Sequence, residues 1–168
     1  MDIEFRKMRR FNQQLSAEEC YELLRQEDRG ILAIHGENGY PYAFPMNFCF
    51  DEKKKCLYLH SAKTGHKIDA LRKDNKVCFC LHDPGYTHGG RWQKHFRSLV
   101  VFGHIEFVDD PEKSIECAKL YDLKFEPPEE MAKHIEREGK LVQMMILVID
   151  HMTGKIGKEL LKERNRKE

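Results

Sequence analysis

The chain has 168 residues, with 29 Lys and Arg against 28 Asp and Glu, so its formal net charge at pH 7 is only +1. A near-neutral chain has no overall field that would attract nucleic acid or an anionic membrane, so any anion binding must be local. The longest uninterrupted apolar run covers residues 144–149, far fewer than the ~20 residues of a membrane helix.

The chain carries no sign of export. Its first residues include Asp2 and Glu4 and form no apolar signal core. The six cysteines are scattered, apart from one Cys-x-Cys pair, and we interpret them as reduced thiols rather than a disulfide framework. These features predict a cytoplasmic protein that binds neither nucleic acid nor a membrane.

The chain alternates between short strands and helices. Helices are predicted over residues 16–26, 65–71, 111–121 and 128–138. Strands are predicted over residues 31–35, 40–50, 56–60, 76–82, 96–108 and 141–151. The Asn38-Gly39 pair predicts a tight hairpin turn, and Pro41 and Pro45 place the second strand at an edge or a bulge. Since closing short strands into a small barrel removes exposed edges, we expect one mainly β domain over residues 1–153 and a charged tail over 154–168.

The most informative segment covers residues 57–71, where a strand end leads into a helix start. Between the two elements lie hydroxyls, a glycine and cationic groups: Ser61, Lys63, Thr64, Gly65, His66 and Lys67. Ser61 or Thr64 could cap the helix. Free N–H groups and the positive end of the helix dipole bind anions, so the segment predicts a phosphate site. An ordinary capped helix with solvated lysines fits the spacing equally well.

Other groupings of reactive residues are weaker. Cys78, Cys80 and His82 alternate on one strand, where neighbours on one face lie roughly 7 Å apart, too far for tetrahedral zinc. We therefore expect no metal. The loop over residues 83–94 mixes aromatic and basic residues, which is typical of a nucleic-acid surface or of a flap over a flat ligand, and the low net charge favours the flap. No serine or cysteine lies in a G-x-S-x-G or similar nucleophile motif, so the sequence does not indicate a covalent hydrolase.

Four blocks occur in a recognisable order. They read PYAFPMN at 41–47, HSAKTGHK at 60–67, KVCF at 76–79 and FRSLVVFG at 96–103. Together they resemble the pyridoxamine 5′-phosphate oxidase-like FMN-binding split-barrel superfamily over residues 8–153. Within that superfamily the chain is most similar to the branch that includes the 5-nitroimidazole-resistance (Nim) proteins.

The resemblance implies a six-stranded antiparallel split barrel that forms a homodimer with one FMN at each of two sites between the subunits. It implies FMN contacts from the second block, at His60, Ser61, Ala62, Gly65, His66 and Lys67. The flavin ring would run along Pro45, Met46 and Asn47, with Ser98 as a further contact. The resemblance assigns no catalytic residue, and we take His66 and Tyr42 as the candidates.

The resemblance further implies an FMN-dependent oxidoreductase that passes electrons from a nicotinamide donor to a small acceptor such as a nitroaromatic. Vitamin B6 oxidation is not the expected reaction, because the arginine-rich pattern that grips the substrate phosphate in true pyridoxamine phosphate oxidases is not evident. Two alternatives stay open. One is a non-catalytic flavin- or haem-binding protein of the same fold, and the other is a relative with an empty site that acts through a protein partner.

Overall fold

A curled antiparallel β-sheet forms the body of the protein. The structure is a computed structural model, and it describes residues 4–87, 92, 94–139, 141–158 and 160–161. The described strands are β1 (Arg29–His35), β2 (Pro41–Asn47), β3 (Cys49–Asp51), β4 (Cys56–Ala62), β5 (Lys76–His82), β6 (Tyr86–Thr87), β7 (Lys94–His95), β8 (Arg97–Val108) and β9 (Val142–Ile156). The described helices are α1 (Ala17–Gln26), α2 (His66–Lys73), α3 (Pro111–Asp122) and α4 (Pro128–Glu138), with short 3-10 turns at Phe11–Gln13 and Glu37–Gly39.

The main sheet is a mainly β, antiparallel split barrel, as predicted. Its strands lie in the order β2-β1-β5-β8-β9-β4-β3, and β6 and β7 form a separate two-stranded ribbon. The outermost strands, β2 and β3, are consecutive in the chain, and only Phe48 separates them. The sheet must therefore curl until its two edges approach each other.

The number of strands differs from the prediction, because the main sheet has seven strands and not six. The predicted strand over residues 40–50 breaks at Phe48, and its two parts pair with different neighbours, β1 and β4. At the break, the Phe48 N–H donates to the Asp28 carbonyl at 3.1 Å. The Phe48 ring is fully buried and meets the Phe79 ring edge-on, with centroids 5.3 Å apart.

The main hydrophobic core lies inside the curl of the sheet. On β5, Val77, Phe79 and Leu81 are buried, while the residues between them face outward. Helix α1 packs on the core through Leu23 and Leu24, which are completely buried. Burying each such side chain contributes about 1.5–3 kcal/mol.

The outside of β1, β5 and β8 carries a contiguous apolar patch, which we call the outer apolar face. Its residues are Ile31, Cys78, Cys80, Val100 and Phe102. They are neighbours by register, since Ile31 lies opposite Cys80, Cys80 opposite Val100, and Cys78 opposite Phe102. Ile31 is 45% exposed and Phe102 is 39% exposed. Apolar patches of this kind mark interaction surfaces.

The longest pairing in the sheet joins β8 to β9, and it contains a bulge between Phe102 and Gly103. The backbones approach closely at this point. A Cβ on residue 103 would lie 2.1 Å from the Val148 carbonyl oxygen, so only glycine allows the two strands to remain paired here.

Lys124 ties the end of α3 to the strand break. Its ammonium donates to the Phe48 carbonyl at 3.2 Å and also to the Glu27 carbonyl. The same ammonium lies 4.4 Å from the centroid of the Phe48 ring. Only 15% of the side chain is exposed. Lys124 therefore joins α3, the end of α1 and the break between β2 and β3.

Predictions that depend on neighbouring residues are confirmed. Ser16 and Glu19 form the predicted capping box at the start of α1. The Asn38-Gly39 turn has positive φ at both residues, 56° and 77°. The proline-bearing strand β2 lies at an edge of the sheet order. β5 and α4 have the predicted bounds.

Other segments differ from the predictions. β9 continues to Ile156, past the predicted strand end at 151. The predicted loop over 83–94 contains β6 and the start of β7, and its residues 88–91 and 93 lie outside the described residues, as do 162–168 of the predicted tail. Arg97, which follows this loop, is held by Asp83 and Glu22 at 2.9 Å each. Across the described ranges, no helix is both long enough and apolar enough to cross a membrane.

Candidate functional site

A cleft of about 550 Å³ opens beside the start of α2, and we call it the α2 cleft. It brings most of the block at residues 60–67 together with Tyr42 of β2, which is one of the two catalytic candidates. The lining residues are Tyr42, His60, Ser61, Ala62, Thr64, Gly65, His66, Lys67, Leu141 and Val142. Leu141 and Val142 were not predicted, because they come from the start of β9, about eighty residues away in the chain.

The start of α2 is left without a side-chain cap. Gly65 is the N-cap residue, and no side chain among the described residues caps the first turn. The prediction that Ser61 or Thr64 caps the helix is therefore wrong. Gly65 has φ 116° and ψ 169°, a conformation open essentially only to glycine, and the chain enters the helix through this residue.

The open helix start leaves backbone donors available. The N–H groups of Ile68 and Asp69 donate to the Gly65 carbonyl. The N–H groups of His66 and Lys67 find no acceptor within the described part of the chain. By contrast, Ser16 caps α1 and Asp110 caps α3. Free donors at a helix N-terminus favour an anion.

Two aromatic contacts order the side chains of the cleft. The Lys67 ammonium lies 4.5 Å from the centroid of the Phe44 ring. The rings of Tyr42 and His66 are stacked, with centroids 4.5 Å apart and planes at 9°. Both catalytic candidates therefore lie together at the α2 cleft, beside Lys67.

His60 is an exposed residue of β4 that lines the cleft. Its ring meets the Tyr121 ring edge-on, with centroids 4.7 Å apart. The side chain is accessible from the cleft, but the surrounding protein desolvates the ring and lowers the pKa of His60, and the Lys67 ammonium lowers that pKa further. The neutral imidazole is therefore favoured, and it can both donate and accept a hydrogen bond.

The electrostatics of the cleft favour an anion. Among the described residues that line it, there is no Asp or Glu, while His60, His66 and Lys67 are all basic. Lys67 and the free N–H groups at the start of α2 thus give the cleft a local positive character in a chain of net charge +1. This arrangement can bind a phosphate by charge and by hydrogen bonds from backbone and hydroxyl groups.

The other predicted contacts lie elsewhere on the barrel. Pro45, Met46 and Asn47 are on the edge strand β2, where Met46 is buried and Asn47 lines a different cavity. Ser98 is the second residue of β8 and pairs with Lys155 near the far end of β9. Ser98 is therefore not brought to the α2 cleft within one chain.

A second cavity, of about 270 Å³, lies where α3 and α4 cover the sheet, and we call it the α3–α4 pocket. It shares His60 and Val142 with the α2 cleft. Its lining residues are Asn47, His60, Ala118, Tyr121, Asp122, Phe125, Glu126, His134, Ile135, Gly139, Val142 and Met144. Sequence reasoning missed this pocket, because its residues come from five separate segments and no local motif links them.

Cys78, Cys80 and His82 all lie on β5, as predicted. Burial raises the pKa of both Cys78 and Cys80, so both thiols stay protonated. All six cysteines are free thiols. In the described portion of the chain, no group of three or more His, Cys, Asp and Glu side chains is placed to hold a metal ion.

Comparison with known proteins gives a family and a fold. The family model described as pyridoxamine 5′-phosphate oxidase matches residues 16–156. No significant match is found among curated proteins. A candidate 5-nitroimidazole antibiotic resistance protein from Bacteroides thetaiotaomicron has a TM-score of 0.67 at 23% identity, with 85% of this chain and 86% of that chain covered.

Two further solved structures share the fold. An FAD-binding protein from Mesorhizobium loti has a TM-score of 0.64 at 22% identity, with 86% of this chain and 97% of that chain covered. An FAD and heme binding protein from Mycobacterium smegmatis has a TM-score of 0.71 at 18% identity, with 87% and 74% covered. The family match spans 16–156 and so includes the whole main sheet and the α2 cleft. This chain therefore belongs to the pyridoxamine 5′-phosphate oxidase family.

Proposed function

We propose that this protein binds FMN with the phosphate in the α2 cleft. We further propose that it acts as an oxidoreductase, reducing small acceptors such as nitroaromatics with electrons from a nicotinamide donor. The observation that carries the proposal is the uncapped start of α2, which opens into a cleft lined by Ser61, His66 and Lys67 and, among the described residues, by no carboxylate. Family membership supports a flavin as the ligand, as does the fold shared with two proteins named as FAD-binding.

The residues of the cleft fit the phosphate end of FMN. Lys67 would exchange its contact with Phe44, about 0.5–1 kcal/mol at an accessible site, for a charge-assisted hydrogen bond of about 1.5–3 kcal/mol. The N–H groups of His66 and Lys67 would donate to phosphate oxygens. The Ser61 hydroxyl would add a further bond. A Cβ at Gly65 would meet no atom within 4 Å, so the approach to these donors is open.

The edge strand β2 suits the flavin ring. Within the sheet that the structure describes, β2 pairs only with β1, so its alternate N–H and C=O groups point away from the sheet. We place the polar edge of the ring along Pro45, Met46 and Asn47. When bound, the flavin supplies the redox chemistry, accepting hydride and passing electrons on, while the protein binds and orients it.

Tyr42 and His66 are our candidates for a catalytic acid. Their stacked rings hold the imidazole in a fixed orientation at the cleft, 4.5 Å from the phenol ring. His60, whose neutral form is favoured, would hydrogen-bond to the cofactor without adding charge. Hydride transfer at a flavin needs no protein acid, so these residues would serve protonation of the acceptor.

We also propose a homodimer with FMN between the subunits. The outer apolar face offers the surface, since Ile31 and Phe102 are exposed in one chain. Ser98 gives a second reason. Ala62 and Val142, which pair at the α2 cleft, lie at one end of β9, whereas Ser98 pairs with Lys155 near the other end. The thirteen residues from Val142 to Lys155, at ~3.3 Å each, put Ser98 roughly 40 Å from the cleft along the strand. A Ser98 contact to FMN would therefore have to come from the partner subunit.

Spectroscopy of the purified protein tests the cofactor. We expect a yellow protein that releases FMN, and not FAD, on heating. We then expect NADH or NADPH to be consumed when a nitroaromatic is added. A colourless protein that takes up no FMN at micromolar concentration would overturn the proposal.

The non-catalytic alternative gives a different result in the same experiments. A protein that binds flavin but does not oxidise nicotinamide with any nitroaromatic acceptor would be a carrier or a sensor. A Soret band would indicate haem, for which the shared fold of the M. smegmatis FAD and heme binding protein is the supporting observation.

A further inference from the structure

The α3–α4 pocket adjoins the proposed flavin site, since Asn47 and His60 line it, but its wall formed by α3 and α4 has no part in the proposed flavin function. Its volume of about 270 Å³ equals that of about nine liquid water molecules at ~30 Å³ each. A small organic molecule of about ten non-hydrogen atoms matches this space. The pocket lies directly beside the α2 cleft, because His60 and Val142 line both.

Much of the pocket wall is apolar or aromatic. Ala118 and Met144 are buried in the small core beneath α3, and Ile135 of α4 packs against that core. The Phe125 ring lies 5.0 Å from the Tyr121 ring, centroid to centroid. Tyr121 is only 4% exposed. Walls of this kind suit a flat apolar body, with polar groups of the pocket fixing its orientation.

The charged groups of the pocket are two carboxylates and one histidine. Glu126 is paired with His134, whose Nδ1 lies 2.6 Å from a Glu126 carboxylate oxygen. Asp122 is half-buried, and its carboxylate makes no hydrogen bond or ion pair with any residue that the structure describes. Burial raises the pKa of Asp122, and the neighbouring Glu126 charge raises that pKa further. His134 lowers that pKa, but it is already paired with Glu126, so in the described part of the chain the two carboxylates share one histidine as their counter-ion.

Two cationic side chains near the pocket, Lys124 and Arg29, already have hydrogen-bond partners. The Lys124 ammonium donates to the Phe48 and Glu27 carbonyls and forms an ion pair with Asp28. The Arg29 Nε donates to the Asn47 Oδ1 at 2.7 Å, at the β2 side of the pocket. A divalent metal does not fit, since the described residues supply no group of three metal-ligating side chains. A second counter-ion is therefore best supplied by an organic ligand.

We propose that the α3–α4 pocket is a second ligand site, which binds a small flat organic cation with its charged group at Asp122 and its apolar body between Phe125 and Ile135. The two neighbouring cavities then have opposite preferences, an anion in the α2 cleft and a cation in the α3–α4 pocket. The proposal stands on the pocket itself and does not require flavin to be bound.

Benzamidine and benzamide form a matched pair of probes, because they have the same shape and differ in charge. Each is titrated at millimolar concentration into the full chain, as purified and again after addition of FMN, while backbone amide shifts are followed by NMR. We expect benzamidine to shift amides of residues 121–126 and 134–135 in both samples, and benzamide to bind about tenfold or more weakly.

Two variants separate this site from general attraction to acidic surface. Asp122→Asn keeps the shape of the side chain and should weaken benzamidine about tenfold without changing benzamide. Glu129→Gln removes an exposed carboxylate of α4 outside the pocket and should change neither. Equal binding of the two probes, unchanged benzamidine binding in Asp122→Asn, an equal loss in Glu129→Gln, or no shifts at the pocket would each overturn the proposal.

Discussion

Replacing Lys67 and Ser61 together with alanine should weaken FMN binding by about 1.5–4 kcal/mol, or roughly 10- to 1,000-fold in Kd. The Lys67 ammonium would contribute a charge-assisted bond of about 1.5–3 kcal/mol, and the Ser61 hydroxyl a neutral bond of about 0.5–1.5 kcal/mol. The loss in binding free energy is smaller by about 0.5 kcal/mol, because FMN binding to the wild type breaks the contact between Lys67 and Phe44 and the variant has no such contact to break. The backbone donors at the start of α2 remain, so binding should weaken without vanishing.

Quenching of FMN fluorescence during titration measures this change in affinity. Lys73→Ala is the matched control, since Lys73 is an exposed lysine in the last turn of the same helix and should leave Kd unchanged. Phe44→Leu should slightly strengthen binding, because it frees the ammonium from the ring. A double variant that binds FMN within about threefold of the wild type would show that the phosphate does not lie in the α2 cleft.

Three further predictions concern stability. Lys124→Met should lower the free energy of unfolding by about 2–4 kcal/mol in urea titrations, because the Phe48 and Glu27 carbonyls lose a charged donor, whereas the exposed control Lys119→Met should change little. Gly65→Ala should cost about 1–3 kcal/mol despite the open space around it, since its φ of 116° strains any L side chain; a change near zero would contradict this. The pKa of His60 is lowered from 6.5 in the folded protein, so below that pH the unfolded state binds more protons than the folded state. The stability of the wild type should therefore fall as the pH drops from about 7 to about 5. His60→Gln should lose less in Tm than the wild type over the same range.

Predictions from the sequence succeed where the deciding contacts are local. The capping box of α1 joins residues three apart, and the Asn38-Gly39 turn depends on the backbone preferences of two residues. The family resemblance adds what local rules do not contain, namely the split-barrel topology. The α2 cleft follows from both, since its central residues are nearly contiguous from His60 to Lys67.

Features that depend on distant contacts could not be predicted. The break at Phe48 arises because the two halves of one predicted strand find different partners, and nothing in the sequence of that strand states this. The cap of α2 was predicted wrongly. A hydroxyl side chain near a helix start usually accepts a hydrogen bond from a backbone N–H of the first turn, but here Gly65 is the N-cap residue and has no side chain to do so. The α3–α4 pocket forms only when α3 and α4 pack beside β4 and β9, which are distant from them or from each other in the sequence.

The pairing of β4 with β9 has a consequence for how the chain folds. Eighty residues separate Ala62 from Val142, which are partners in the finished sheet. At synthesis rates of about 5–20 residues per second, β4 waits roughly 4–16 s for the strand that covers its edge. An unpaired edge is a template for aggregation during that time. Closure of the barrel is therefore a late event of high contact order, and the nascent chain is most in need of a chaperone before β9 has been made.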